Sequence, residues 1–263
     1  MPPFELAVAS TRGARDYQED SAGFWPGEND ISVLADLSPV AEDDRAYAVL
    51  ADGMGGHTGG ALASRTVCET FLSSATSGDG SPANRLEAGL YAANDAVARR
   101  VDVNPLLAGM GSTLIGTAFT PSGVEWVSVG DSPLYLYRRG EIAVLNEDHS
   151  LAPELDRLVA EGRLTEREAR RDPRRHMLRS AITGEEIDLI DTSRQPLALE
   201  AGDYVVLASD GIATLDKAEI ARIIAGYAQD GAPAVAKALI RAVEALREPH
   251  QDNATVLVVR PLG

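Results

Sequence analysis

Acidic residues recur in this sequence at the points where predicted strands begin or end. An Asp-Gly pair follows each of two apolar runs, at Asp52 and again at Asp210. Asp252 directly precedes the last predicted strand, Asp131 lies in a turn, and the acidic pair at 19–20 follows the first strand. A single Asp-Gly pair is usually only a turn. Several carboxylates that converge at strand ends repel one another unless cations neutralise them. Mg²⁺ and Mn²⁺ prefer such oxygen ligands, and two such ions can activate a water molecule and hold a phosphoryl group.

A glycine-rich run, DGMGGHTGG at 52–60, comes before a predicted helix. Helix N-termini bind anions, so a phosphate-binding loop is one hypothesis. The run lacks the Gly-Lys-Ser/Thr ending of a P-loop and the spacing of a dinucleotide fingerprint. The preferred interpretation is that these glycines let the backbone fold tightly beside a ligand held by Asp52.

Short apolar or alternating runs bounded by Gly, Pro, Asp or Asn predict the strands that must position these acids. They are 4–9, 31–34, 46–51, 114–119, 124–129, 134–137, 187–190, 204–208 and 254–259. Apolar residues spaced three or four apart predict helices at 60–76, 84–101, 217–227 and 232–246. The turn signal at 130–133 predicts a hairpin between 124–129 and 134–137. The pattern indicates an α+β fold with helices outside a sheet core, without deciding between one sheet and two.

Composition excludes several classes of protein. The 263 residues carry 40 acidic and 24 basic side chains, a net charge of −16. This charge argues against nucleic-acid binding and against docking on an anionic membrane. A single cysteine excludes an internal disulfide and a cysteine zinc cluster. We see no signal peptide and no apolar run long enough to span a membrane, and we therefore expect a soluble, cytoplasmic protein.

Two segments are predicted to lie at the surface. The acidic segment 36–45 is most simply a solvated connection. The segment 153–179 holds eight arginines with acidic residues between them, which favours an exposed helical pair with many ion pairs. The alternative is a mobile flap whose arginines meet a phosphorylated partner.

Seven short motifs occur in a fixed order along nearly the whole chain. They are Arg15 with Glu19-Asp20-Ser21, VLADGMGGH at 49–57, GST at 111–113, VGDS at 129–132, DHS at 148–150, Gly202-Asp203 through SDG at 209–211, and DNAT at 252–255. In order and spacing the chain resembles the protein phosphatase 2C family of metal-dependent Ser/Thr phosphatases, in its compact bacterial form.

This resemblance implies a four-layer αββα sandwich of two antiparallel sheets flanked by helix pairs. It implies hydrolysis of phosphoserine and phosphothreonine by a water that bridges two Mn²⁺ or Mg²⁺ ions. Asp52 would bridge both ions, the carbonyl of Gly53 would bind one, and Asp210 and Asp252 would hold the other. Arg15 would bind the phosphate, since its planar guanidinium can contact two oxygens.

Further roles are implied for the remaining acids and for the arginine-rich segment. Glu19 and Asp20 would act mainly through metal-bound water, and Asp131, with Asp210, would form a third, weaker metal site. The resemblance implies one catalytic domain over 1–263, with a flap at about 151–185. For the segment 153–179, it favours the mobile flap over the exposed helical pair.

The proton donor is left open by the sequence. Animal members of the family carry a histidine at the position of Met54, which cannot transfer a proton. His57, His149 and metal-bound water are alternatives, although a loop role is preferred for His57 and a structural hydrogen bond for His149. His176 replaces a small polar residue of the family's flap, and we assign it no role.

Three functional hypotheses follow. The preferred one is an active phosphatase acting on phosphorylated proteins, with a Ser/Thr kinase and its substrates as partners. The second is an adaptor that binds such proteins without turnover, because a fold alone does not prove activity. The third is a phosphohydrolase for small molecules. We expect a monomer, since the sequence shows no coiled-coil heptads.

Overall fold

The computed structural model describes residues 4–26 and 45–262. The strands are β1 (Phe4–Thr11), β2 (Asp20–Trp25), β3 (Ala46–Met54), β4 (Gly111–Ser112), β5 (Leu114–Thr120), β6 (Gly123–Val129), β7 (Leu134–Arg138), β8 (Glu141–Val144), β9 (Asp191–Thr192), β10 (Tyr204–Ala208) and β11 (Ala254–Pro261). The α-helices are α1 (His57–Ser77), α2 (Pro82–Val103), α3 (Ala152–Ala160), α4 (Glu166–Arg171), α5 (Lys217–Tyr227) and α6 (Ala232–Leu246). Short 3₁₀ turns lie at Pro105–Leu107, Asp210–Thr214 and Ala228–Asp230.

The strands form two antiparallel sheets. The first has the order β1-β11-β10-β7-β8, and the second has the order β2-β3-β5-β6-β9, with β4 paired to β3. The first and last strands of the chain pair along their full length, from Phe4 opposite Pro261 to Thr11 opposite Ala254. Sequence-distant segments are therefore neighbours at one edge of the first sheet.

Three apolar clusters separate four layers. The central cluster lies between the sheets and includes Leu50, Leu207 and Leu257. A second cluster packs the first sheet against α5 and α6, and a third packs the second sheet against α1 and α2. Strands buried on both faces read as nearly continuous apolar runs, which is why β3 and β10 were recognisable in the sequence. The α+β sandwich with helix pairs on both outer faces is confirmed.

The hairpin predicted across 130–133 is wrong. The strand before this turn, β6, belongs to the second sheet, and the strand after it, β7, belongs to the first. The turn carries the chain from one sheet to the other: Gly130 has φ +105°, and Ser132 bonds to Thr113 of the second sheet at 2.8 Å. A turn signal marks a reversal of the chain but does not show whether the next strand pairs with the last one.

Two of the predicted strands differ most from the structure. The run 187–190 is not a strand; the short strand β9 follows it instead and pairs with Val127 and Ser128. The strand predicted at 46–51 continues to Met54, because Asp52 pairs with Asp20 and the next two residues pair with β4. The predicted strand 31–34 and most of the predicted loop 36–45 lie outside the described residues.

The predicted helices agree with the structure to within three residues at either end, and α5 and α6 agree at both ends. In the described part of the chain, no helix has both the length and the apolar character needed to cross a bilayer.

Candidate active site

The predicted site residues come from loops and strand ends of both sheets, and all of them except Asp20 line one cleft. Its volume is about 960 Å³, and Arg15, Asp52, Asp131, Asp210 and Asp252 all contribute to its wall. The second sheet supplies Asp52 near the end of β3, whereas Asp210 follows β10 and Asp252 precedes β11 of the first sheet. The structure therefore brings together acids that lie up to 200 residues apart in the sequence.

Asp20 and Asp52 are direct cross-strand partners on β2 and β3. The backbone of Asp52 is fixed by the neighbouring segment: its N–H donates to Thr113 Oγ1 at 2.9 Å, and its carbonyl accepts from Thr113 N–H and Ser112 Oγ, each at 2.9 Å. On the other side, Ser209 Oγ donates to Asp20 Oδ2 at 2.7 Å. This last bond links the two sheets directly beneath the cleft.

Burial and mutual repulsion raise the pKa of four of these acids. Burial raises the pKa of Asp52 well above its usual value, and the charges of Asp20 and Asp210 add to the effect. Burial likewise raises the pKa of Asp20 to about 6 and that of Asp131 to about 7. The pKa of Asp210 is raised by burial and then by the charge of Asp252. Such a set holds negative charge at a high cost in the absence of cations.

Arg15 lies beside this cluster and pairs with one of its acids. Its Nη2 donates to Asp252 Oδ2 at 2.5 Å. Both side chains are about half exposed, 52% for Arg15 and 41% for Asp252. The guanidinium is therefore within reach of an anion that enters the cleft, and the ion pair keeps it next to the carboxylates.

Two glycines allow Glu19 to lie close to the start of α1. A Cβ on Gly60 would come within 2.3 Å of Glu19 Oε1, and one on Gly53 would come within 2.1 Å of the Gly60 carbonyl oxygen. The N–H of Gly53 donates to the carbonyl of Glu19 at 3.1 Å. The glycine-rich run thus permits close backbone approach beside Asp52, in line with the preferred interpretation of its sequence.

Two buried amides on either side of Asp252 were missed by the sequence reasoning. Asn253 donates to the carbonyls of Arg12 and Tyr17, each at 3.0 Å, and its Oδ1 accepts the N–H of Glu19 at 2.7 Å. These three bonds hold the loop that carries Arg15.

The second amide, Gln251, donates to the carbonyl of Gly211 at 3.0 Å and accepts from Thr214 at 2.7 Å, which ties the Asp210 turn to the Asp252 segment. These hydrogen-bond partners of Gln251 and Asn253 lie about 35 to 240 residues away in the sequence. The only sequence signal was that both adjoin Asp252.

The donor set fits divalent cations. Glu19 Oε1 and Asp20 Oδ1 are buried without a hydrogen-bond partner, which is costly unless a cation or ordered water satisfies them. Within residues 4–26 and 45–262, no three His, Cys, Asp or Glu side chains are arranged as a complete ligand set, and Asp252 is engaged by Arg15. Ions at this position would therefore draw on backbone carbonyl and water oxygens as well, as hard cations commonly do.

The flap segment forms another wall of the cleft. Residues 176–181, together with Glu185, Glu186 and Asp188, line it. Five of the eight arginines at 153–179 form ion pairs with acids of the same segment, among them Arg157 with Glu161 and Arg170 with Glu166. This agrees with the salt-bridged helical pair, and the mobility of the flap stays a prediction.

The chain matches a known family model and several curated proteins. The family model described as protein phosphatase 2C matches residues 36–254. The chain is 36% identical over 226 residues to the serine/threonine protein phosphatase PstP of Mycobacterium tuberculosis, covering 82% of this chain but only 41% of that relative. It therefore spans less than half the length of the mycobacterial protein. It is also 30% identical to the serine/threonine phosphatase stp of Listeria innocua, with 83% of this chain and 85% of that one covered.

The fold agrees with a solved structure as well. The catalytic domain of PstP, determined in complex with two manganese ions, superimposes with a TM-score of 0.73 at 29% identity and full coverage of both chains.

Proposed function

Since the chain belongs to the protein phosphatase 2C family, we propose that it is a protein phosphatase that hydrolyses phosphoserine and phosphothreonine with the help of Mn²⁺ or Mg²⁺. The observation that carries this proposal is the convergence of Arg15 with Asp52, Asp210 and Asp252 in one cleft. The names of the relatives, a serine/threonine protein phosphatase and a serine/threonine phosphatase, support the substrate class. The two manganese ions of the PstP catalytic domain support the cofactor.

The residues proposed to hold two ions are Asp52, the carbonyl of Gly53, Asp210 and Asp252. Asp131 would contribute to a third site, and Glu19 and Asp20 would act through water. When bound, divalent ions lower the pKa of a water molecule and stabilise the charge of a phosphoryl group. The raised pKa values of Asp52 and Asp210 support the assignment, because the carboxylates repel one another until a cation neutralises them.

The chain's own residues bind and orient the substrate. The guanidinium of Arg15 can donate two parallel hydrogen bonds to phosphate oxygens, and its ion pair with Asp252 already directs it towards the acids. Asn253 holds the Arg15 loop through the carbonyls of Arg12 and Tyr17, so the arginine does not have to be ordered when the phosphate arrives.

The domain organisation, partners and compartment form part of the same proposal. The chain is one catalytic domain over 1–263 whose flap, at about 151–185, forms a wall of the cleft. Its partners are phosphorylated proteins, namely a Ser/Thr kinase and the substrates of that kinase, and it acts as a monomer in the cytoplasm.

The experiment is hydrolysis of a phosphothreonine peptide with and without MnCl₂, beside the variant Asp52→Asn. We expect metal-dependent phosphate release that Asp52→Asn reduces by more than roughly 100-fold. Loss of a residue that only hydrogen-bonds to a metal ligand already lowers metal affinity or activity by about 10–100-fold. Calorimetry should show weaker Mn²⁺ binding in the variant. Asp102→Asn, an exposed residue of α2 away from the cleft, is the matched control and should behave as the wild type.

Three results would contradict the proposal. Full activity of Asp52→Asn would exclude the assigned role of this carboxylate. Hydrolysis of small phosphate esters without any hydrolysis of phosphopeptides would favour the small-molecule phosphohydrolase, and Mn²⁺ binding without turnover would favour the adaptor.

A further inference from the structure

The flap places a histidine in the wall of the cleft. His176 lines the cleft together with Asp52 and Asp210, and its side chain is exposed to the solvent of the cleft. It also lies near enough to act on the acids: burial and the charge of Asp252 raise the pKa of Asp210, and His176 is among the groups that counter this rise. A group that can carry a proton therefore lines the same cleft as these acids.

The chain on both sides of His176 is held in place. Arg175 donates two hydrogen bonds to Asp156 of α3, at 2.8 and 2.9 Å. On the other side, Met177 N–H donates to the carbonyl of Arg174 at 2.8 Å, and the carbonyl of Met177 accepts the N–H of Leu151 at 3.0 Å. His176 is therefore presented from an anchored segment rather than from a free loop tip.

The other candidates for proton transfer fit less well. His149 is 3% exposed, and its Nδ1 accepts the N–H of Gly130 at 3.3 Å, which agrees with the structural role predicted for it. The side chain of His57 lies outside the described part of the chain. Met54 lines the cleft but carries no transferable proton. Among the histidine side chains that the structure describes, His176 alone lines the cleft.

The acids of the cleft are also unsuited to the task. Asp131 has a raised pKa, but a carboxylate that holds a cation must be deprotonated. The same applies to Asp52 and Asp210 in their proposed roles. Imidazole is the side chain whose charge ordinarily changes near neutral pH.

We propose that His176 donates a proton to the leaving oxygen of the phosphoserine or phosphothreonine side chain. The proposal rests on the proposed phosphatase function. As the oxygen of a water molecule bonds to phosphorus, the bond from phosphorus to the seryl or threonyl oxygen breaks, and its electron pair stays on that oxygen. The proton of the imidazolium passes to this oxygen and gives the free hydroxyl. The neutral imidazole regains a proton from solvent, and the proton lost by the attacking water is released, so one ester and one water give one alcohol and one phosphate.

The test varies the leaving group. Wild type and His176→Gln are compared at saturating MnCl₂ on p-nitrophenyl phosphate, phenyl phosphate and a phosphothreonine peptide. p-Nitrophenolate is stable as an anion and leaves without a proton, whereas a threonine alkoxide needs one. General acid catalysis contributes roughly 10²–10⁴-fold, so kcat on the peptide should fall by about 10²-fold or more. Phenyl phosphate should show an intermediate loss, and the rate on p-nitrophenyl phosphate should change by less than about twofold.

Four further measurements separate proton donation from other roles. Added imidazole should restore peptide hydrolysis to His176→Gly, since it can supply the missing proton donor. Met177→Ala alters the same wall without removing a proton donor and should affect all three substrates equally. Asp156→Asn weakens the ion pair that anchors Arg175, and it should give a smaller loss with the same dependence on the leaving group, because Asp156 is a positioning residue. Calorimetry on His176→Gln should show unchanged Mn²⁺ binding.

The outcomes are distinguishable. An equal loss on all three substrates would overturn the proposal and assign His176 to substrate binding. No loss on the peptide would overturn it in favour of a water molecule as proton donor. A wild-type protein that hydrolyses none of the three substrates would instead refute the phosphatase function on which the proposal rests.

Discussion

Replacing Asp20 with asparagine should stabilise the metal-free protein at neutral and alkaline pH. Asp20 is 2% exposed, and burial raises its pKa to about 6 from the usual 3.8. Its Oδ1 has no hydrogen-bond partner, whereas Oδ2 accepts from Ser209 at 2.7 Å. An asparagine keeps the shape and the accepting oxygen and removes the buried charge.

The size of the effect follows from the pKa. A shift from 3.8 to about 6 is worth about 3 kcal/mol, because each pKa unit corresponds to about 1.4 kcal/mol. Since the folded state has the higher pKa, it binds the proton more tightly than the unfolded state does. The stabilisation from that proton is present below the unfolded pKa and is lost as the pH rises through about 6. Asp20→Asn should therefore raise the free energy of unfolding by about 3 kcal/mol above pH 7 and by roughly half as much at pH 5.

The assay is urea unfolding in EDTA between pH 5 and 8, with Asp102→Asn as an exposed control of the same chemistry. The control should change the unfolding free energy by less than about 0.5 kcal/mol at every pH. Repeating the series in MnCl₂ should reverse the order of the two proteins, because ions that bind only the folded state stabilise it and the variant lacks an acid near them.

Two outcomes would refute this reasoning. One is a loss of stability in metal-free Asp20→Asn at pH 8, which would mean that the charge of Asp20 is favourable in the folded state. The other is a gain that does not depend on pH, which would mean that the effect comes from packing rather than from ionisation.

Three other substitutions test separate parts of the site. Arg15→Ala should raise KM for phosphopeptides and weaken inhibition by inorganic phosphate with a smaller effect on kcat; an unchanged KM would exclude Arg15 from phosphate binding. Asp131→Ala should increase the MnCl₂ concentration needed for full activity while calorimetry still detects two bound ions, and loss of all binding would place Asp131 among the main ligands. Asn253→Ala removes three hydrogen bonds, so it should cost about 2–4 kcal/mol in urea unfolding and raise KM as Arg15→Ala does; a stability loss with unchanged KM would limit Asn253 to a structural role.

The sequence predicted the core of the fold well where local pattern decides the structure. The bounds of α5 and α6 were predicted at both ends, because a regular apolar spacing ends at clear breakers such as Gly231. The hairpin after β6 was predicted wrongly, since the choice between two sheets depends on long-range packing. The strand that holds Asp52 was predicted to stop too early, because its last pairs are made with Gly111 and Ser112, far along the chain.

In the candidate site, too, the sequence predicted what local pattern determines and missed what long-range packing determines. Acids at strand ends were recognisable because several of them recur beside apolar runs, whereas a single one indicates only a turn. The amides Gln251 and Asn253 were not recognised, because their hydrogen-bond partners are mostly backbone groups of remote loops. Their burial, 7% and 4% exposed, appears only after the two sheets are assembled. The place of His176 in the cleft likewise depends on how the flap lies against the sandwich.

The proposed metal ligands are divided between the two sheets, and this division has a mechanical consequence. Asp52 belongs to one sheet, while Asp210 and Asp252 adjoin strands of the other. Cations bound by these acids would hold the two sheets together, whereas the acids without cations repel one another across the sheets. The layer between the sheets that these cations would stabilise is the apolar core around Leu50 and Leu257. Amide hydrogens beneath the cleft should therefore exchange more slowly once the metal is bound. The cofactor that serves the reaction would then also determine the stability of the folded protein.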